Sequence, residues 1–472
     1  MNAAIDARAL DRVFGPGFGD SPEQRADAST VEFVRSIDQL AFASEGARGR
    51  RLTAREALDA YGLDALLEVA DEGSALLTKD PAAAGRVIRE RRAQLDLTAD
   101  RVAQAASLSL DVVEAIEQSK RRPVREYERV ARVLGLDERM VSYRAEPVGN
   151  ERIAVRLRTL QHMPCTGLSA PTVAALAEAA WVAATQVRLE RELGLEGRGV
   201  GFEHSHDYGA PGWPAYRAGY ELATKVRERL QLGDDPIPSL RDLCERRLGI
   251  PVIQTELGAD FAGATVDASG ARAIVLNLAG RNREVFVRRA TLAHELCHIL
   301  FDPPQRLNDL RVDRYDELDR PAEQVVDVVE QRANAFAVEL IAPQRASVRL
   351  FETSPSEPLA AVIHRFGISF TAARYQVWNG LARRVELTSL AAPNTRPDPG
   401  WEAREAYTVD YHPIRSLARH PSRAGRFSAV SLRAAEQRRI SWDTAAEWLD
   451  ASVDEVRDAL PAVRSLFPDV FV

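Results

Sequence analysis

Two histidines four residues apart, with a glutamate directly after the first, carry the chemistry most readily available to this chain: Thr291-Leu-Ala-His294-Glu295-Leu-Cys-His298-Ile-Leu-Phe301. The segment is apolar and helix-forming. On a helix, positions i and i+4 share a face, so His294 and His298 offer imidazole nitrogens to one ion. Glu295 then lies beside the open coordination position, where a carboxylate can take a proton from a bound water. The alternative is an ordinary buried helix that happens to hold two histidines. With only eight histidines in 472 residues, coincidence is disfavoured. Cys297 lies about 100° around the helix from His298 and so points away from the ion. It reads as a small buried residue, with a thiol redox switch as the minority alternative.

Two imidazoles leave a zinc ion short of ligands, because catalytic sites usually have three protein ligands and a water. A helix predicted from Pro321 to Leu340 carries Glu323, Asp327 and Glu330 about one turn apart on one face. Spacing alone leaves all three open. The run Glu330-Gln-Arg-Ala333-Asn334-Ala-Phe336-Ala337-Val-Glu-Leu340-Ile-Ala-Pro343 resembles the second signature of the ImmA/IrrE metallopeptidase family. The resemblance continues through Leu230-Gln-Leu-Gly-Asp-Asp-Pro236-Ile237, Gly249-Ile-Pro-Val252, Ile274-Val-Leu-Asn277 and Arg288-Arg-Ala-Thr291-Leu-Ala-His294. Cys297 departs from it, since the family more often has glycine there. The resemblance implies that Glu330 is the third ligand of one zinc ion, although manganese and iron also suit such donors. It further implies a zinc-dependent endopeptidase with Glu295 as the base. Its substrate would be a protein, a transcriptional repressor or antitoxin, cleaved in a bacterial stress, mobile-element or defence response. Two neutral imidazoles and one carboxylate leave a net positive site that lowers the pKa of bound water to roughly 7.

The elements that must position these groups form an α+β, zincin-like core over 215–345. Helices are predicted over 220–230 and 240–248, and strands over 251–255, 261–266 and 273–278. The last two strands pair across Asp267-Ala-Ser-Gly270, and the histidine helix follows over 284–301. Were strand 274–278 an edge of the sheet, it would hold an extended peptide by main-chain pairing. The whole chain reads as mainly α with a small β-sheet, in several domains. An acidic helical region covers 1–80, a helix-turn-helix 81–142, a helical linker region 150–214 and a helical C-terminal region 346–472. The Ala-rich helix over 171–195 reads as a core helix, with a homodimer contact as the alternative.

Residues 84–140 resemble the Cro/repressor-like helix-turn-helix family. The framework is carried by Arg89-Glu-Arg-Arg92, Ala103, Val113, Ile116-Glu117 and Leu134-Gly135-Leu136. The reading face departs from the family, with Leu110, Asp111, Val112, Glu114 and Ala115, and Ala99 stands where glutamine is usual. Acidic side chains there repel phosphate, and no fork for reading bases is present. Lys120, Arg121, Arg122 and Arg125 are the candidate DNA-backbone contacts. A protein-docking or dimerising module is the rival reading. With such a domain, the chain would otherwise be a DNA-binding transcriptional regulator whose metallopeptidase-like domain senses a metal or ligand without hydrolysis.

Composition narrows the classes. Charged residues make up 28% and the net charge is −7, so the chain as a whole is no polyanion binder. The imbalance is local: residues 1–80 carry 15 acidic and 9 basic side chains, whereas 81–140 carry 10 and 12. Three cysteines without paired spacing (Cys165, Cys244, Cys297) argue against a disulfide framework and for a reducing compartment. The start of the chain lacks a signal-peptide pattern, and the apolar run 170–187 is too weak for a membrane span, so a cytoplasmic protein is expected. Glu203-His204-Ser-His206-Asp207 lies in a Gly/Pro-rich loop and reads as solvated rather than chelating. His162, His364, His412 and His420 read as isolated structural or surface residues.

Overall fold

Short sequences of strong helix formers punctuated by Ser and Thr caps give a mainly helical chain with two four-stranded sheets. The computed structural model describes residues 7–17, 19–139, 141, 168–195, 214–268, 271–302, 311–314, 328–393 and 398–472. They divide into two compact units: residues 1–195, 268–271 and 411–472, and residues 196–267 and 272–410. Among the described residues, no helix is long and apolar enough to cross a membrane.

In the first unit, residues 1–80 are not helical throughout, which corrects the sequence expectation. Strands β1 (Glu32–Arg35), β2 (Gln39–Phe42), β3 (Arg50–Thr53) and β4 (Ser74–Leu76) form an antiparallel sheet of order β3-β1-β2-β4. Helices α1 (Ala7–Phe14), α2 (Pro22–Ala28) and α3 (Ala54–Glu72) share its core. The strands escaped notice because they are short and place charge where apolar alternation is expected. Arg35 and Arg50 are buried and pair with Glu128 at 3.2 and 2.8 Å.

Four helices follow in the stretch read as a helix-turn-helix, α4 (Ala83–Gln94), α5 (Ala99–Ala105), α6 (Leu110–Glu117) and α7 (Val124–Val133). Thr98 accepts a hydrogen bond from the Arg101 amide as an N-cap should. Arg92 and Glu117 form a bidentate pair at 2.5 and 2.9 Å between α4 and α6. The Ala-rich helix Ala170–Glu192 is a core helix: Leu176, Trp181, Val182 and Leu189 are buried. Trp181 meets Phe427 and Trp448 edge to face, and the Glu138 carboxylate accepts from both indole nitrogens, at 2.8 and 2.6 Å. The region 346–472 is therefore not one body. Residues 411–472 complete the first unit, and 346–410 belong to the second.

The second unit begins with helix Ala215–Arg229 and contains β5 (Val252–Thr255), β6 (Phe261–Ala268), β7 (Ala271–Asn277) and β8 (Arg311–Arg314), in sheet order β5-β7-β6-β8. The strand expected as a peptide-binding edge is β7. It is interior, parallel to β5 on one side and next to β6 on the other, so that expectation is corrected. Between sheet and helices lie Ile274, Leu276, Leu292, Leu296, Phe336 and Leu340, a core that fixes two helices, Val285–Phe301 and Val328–Ile341, side by side.

Candidate metal centre

The helix Val285–Phe301 is pinned at its start by two buried arginines. Arg289 donates to Glu405 at 2.8 Å and to the carbonyls of Ile237 and Gly367 at 2.8 and 3.1 Å. Arg288 donates to Glu402 at 2.9 Å and stacks 4.3 Å from the Tyr407 ring. Opposite, helix Ala215–Arg229 comes close to Val328–Ile341 because Gly219 has no side chain. A Cβ there would press on the Arg332 carbonyl and lie 2.9 Å from the Ala335 Cβ.

Three donors meet between the two long helices. His294 Nε2 lies 3.0 Å from His298 Nε2 and 3.0 Å from Glu330 Oε2, and His298 Nε2 lies 3.7 Å from the same oxygen. Ligand atoms around a tetrahedral zinc, with bonds of roughly 2.0–2.1 Å, are separated by about 3.3 Å. The observed triangle brackets that value, so these residues fit a divalent ion. All three side chains are buried. Among the described residues they are the His, Cys, Asp or Glu groups found close enough to share one ion.

The far side of each imidazole is held as well. His294 Nδ1 lies 2.8 Å from Asn334 Oδ1, and His298 Nδ1 lies 3.0 Å from Asp302 Oδ2. Both partners can accept, so they suit a proton on each Nδ1 and leave each Nε2 to serve an ion. Asp302 in turn accepts from the buried Arg332. One helix, Val328–Ile341, thus supplies Glu330 as a donor, Asn334 as an orienting group and Arg332 as the support for Asp302.

Electrostatics follows from this crowding. Burial alone would lower the His298 imidazole, but the Glu330 carboxylate and Asp302 outweigh it and hold it up to about 9. Burial alone would raise Glu330; the two histidines instead hold it well below the usual carboxylate range. Burial pushes the Cys297 thiol up to about 12, which makes it an inert packing residue rather than a reactive thiolate.

Glu295 is fully buried beside the donors. Its Oε2 accepts from the Thr265 hydroxyl at 2.8 Å. Its Oε1 lies over Gly263, where a Cβ would come within 2.9 Å of it. Asn282 ties this strand to the helix, donating to the Ala262 carbonyl at 2.7 Å and accepting from Thr291 Oγ1 at 3.0 Å.

The structure therefore brings His294, Glu295, His298 and Glu330 together. Glu323 and Asp327, the other acids open by spacing, lie outside the described residues, as do His162, His204 and His206. His412 and His420 are buried with partners, Ser428 at 2.6 Å and Glu178 at 3.3 Å. Of the candidate DNA contacts, Lys120 and Arg121 are exposed. Arg122 pairs with Glu126 at 2.7 Å, and Arg125 with Asp443 and Glu447 at 2.6 and 3.3 Å. Sequence reasoning missed Asp302, Asn334, Thr265 and Gly263. Asp302 alone left a signal, standing one helical turn beyond His298.

No curated protein matches the chain. Residues 246–377, which hold both histidines, Glu295 and Glu330, match the sequence model of the Peptidase_M78 family, described as the IrrE N-terminal-like domain. That stretch is thus a domain similar to those of the IrrE/ImmA-type metallopeptidases.

Proposed function

We propose that this chain is a zinc-dependent endopeptidase that cleaves a protein partner. The observation that carries the reading is the convergence of His294, His298 and Glu330 with Glu295 buried beside them. A divalent ion held by those three residues would supply Lewis acidity toward a peptide carbonyl and a water. Glu295 then removes the proton of the attacking water and delivers it to the leaving amine. The Asp302 and Asn334 contacts keep both imidazoles turned inward throughout. The resemblance to ImmA/IrrE proteins supports a transcriptional repressor or antitoxin as the partner, in a stress, mobile-element or defence response.

Purified protein is expected to hold one divalent ion per chain. Glu295→Gln should keep the ion and lose cleavage of the partner, tested first on the product of the neighbouring gene with and without zinc. Protein without a divalent ion, or cleavage unchanged in Glu295→Gln, would sink the reading.

A second reading is favoured by the exposed Lys120 and Arg121 next to helices α4–α7. It is a DNA-binding transcriptional regulator whose metal centre senses rather than hydrolyses. It requires salt-dependent binding to the protein's own promoter that survives Glu295→Gln. Exposed Asp111 and Glu114 on α6 oppose it, since acidic side chains repel phosphate.

A further inference from the structure

We infer that Thr265 is a positioning residue for Glu295, an inference that rests on the metallopeptidase reading. Thr265 is buried on β6 and reaches Glu295 across the gap between sheet and helix. A hydroxyl both donates and accepts. It can therefore hold Oε2 while Glu295 is a carboxylate and keep the contact after Glu295 has taken a proton. With Oε2 held by Thr265, the carboxylate plane is oriented so that Oε1 lies against Gly263. The same strand shapes that second oxygen's surroundings by having no side chain at Gly263, where a Cβ would also come within 3.0 Å of Thr291 Cγ2 and of the Val275 carbonyl. The strand is irregular here, with a shift of register against β8 between Phe261 and Gly263. One segment of β6 thus meets both oxygens of Glu295, by a hydroxyl donor on one and by the bare backbone of Gly263 close against the other.

Two substitutions separate this role from packing, because they err in opposite directions. Thr265→Val keeps the shape and removes the hydroxyl; Thr265→Ser keeps the hydroxyl and removes a methyl. If packing dominated, the serine variant would be the worse of the two.

The readout does not depend on an identified substrate. The full chain is loaded with cobalt, and benzohydroxamate is titrated against its visible absorption bands. A hydroxamate surrenders a proton to a neighbouring base as it chelates, so its affinity reports the placement of Glu295. We expect one cobalt per chain in the wild type and both variants. Losing a hydrogen bond to a charged group should weaken benzohydroxamate about tenfold or more in Thr265→Val. Thr265→Ser should stay within about twofold, with Glu295→Gln marking the full loss. Thr265→Val within twofold of wild type, or Thr265→Ser weakened as much as Thr265→Val, overturns the inference and leaves the metal centre standing. Wild-type protein that takes up neither cobalt nor zinc overturns both.

Discussion

Replacing Asp302 by Asn tests whether the groups behind the histidines set the metal affinity. Asp302 is fully buried, accepts from His298 Nδ1 at 3.0 Å and carries the charge that faces Arg332. Asparagine can still accept one proton, but its amide cannot satisfy both donors and its charge is gone. Loss of such a support typically costs about 10–100-fold in metal affinity, or roughly 1.4–2.7 kcal/mol. Proton competition must be separated from that effect. Without metal, His298 titrates at about 9, so an ion binding at lower pH displaces a proton. The sign is fixed: wild-type zinc affinity should rise about tenfold per pH unit up to that value and level off above it, about hundredfold stronger than at pH 7. Asp302→Asn removes one of the groups that raise His298, so its plateau should begin at lower pH. The intrinsic loss then shows fully only on the plateau and is partly masked near neutrality. Competition against a chromophoric chelator, from pH 6 to above pH 9, gives both curves. Equal plateaus, or superimposable pH profiles, would refute the argument that Asp302 orients and charges His298.

Two further outcomes concern the first unit. Glu447 is buried and accepts from Arg129 and Arg132, both at 3.0 Å, with Arg132 fully buried. Glu447→Gln should therefore cost about 3–5 kcal/mol in urea unfolding followed by Trp181 and Trp448 fluorescence, and a loss below about 1 kcal/mol would show that the pair is dispensable. Burial lowers the His412 imidazole to about 4, below its ordinary 6.5. The folded form thus prefers neutral His412. Its contribution of about 3 kcal/mol is present above pH 6.5 and is lost as pH falls through about 4. His412→Gln should flatten that part of the stability profile, and an unchanged slope between pH 6.5 and 4 would contradict it.

How much was readable from residues alone depended on how local each relation is. His294, Glu295 and His298 lie within one and a half turns of a single helix, so helical period sufficed. Glu330 comes from another helix, and period could not separate it from Glu323 and Asp327; only the resemblance did. Thr265 and Gly263 act through a strand about thirty residues upstream, where sequence carries no trace of which strand faces which helix turn. The N-terminal sheet was hidden for a different reason. Its inward positions include Arg35 and Arg50, whose partner Glu128 lies far along the chain, so polarity did not report burial. The start of α5 is marked locally by its Thr98 cap, whereas the interior place of β7 depended on strand order.

The first unit is assembled from both ends of the described chain, with the whole stretch bearing the metal donors between them in sequence. During synthesis this imposes an order. Residues 196–410 are synthesised before Phe427, Glu447 and Trp448, so Trp181 and Arg132 must wait for their partners until the last part of the chain is made. His294, His298 and Glu330 can therefore come together before the first core can close.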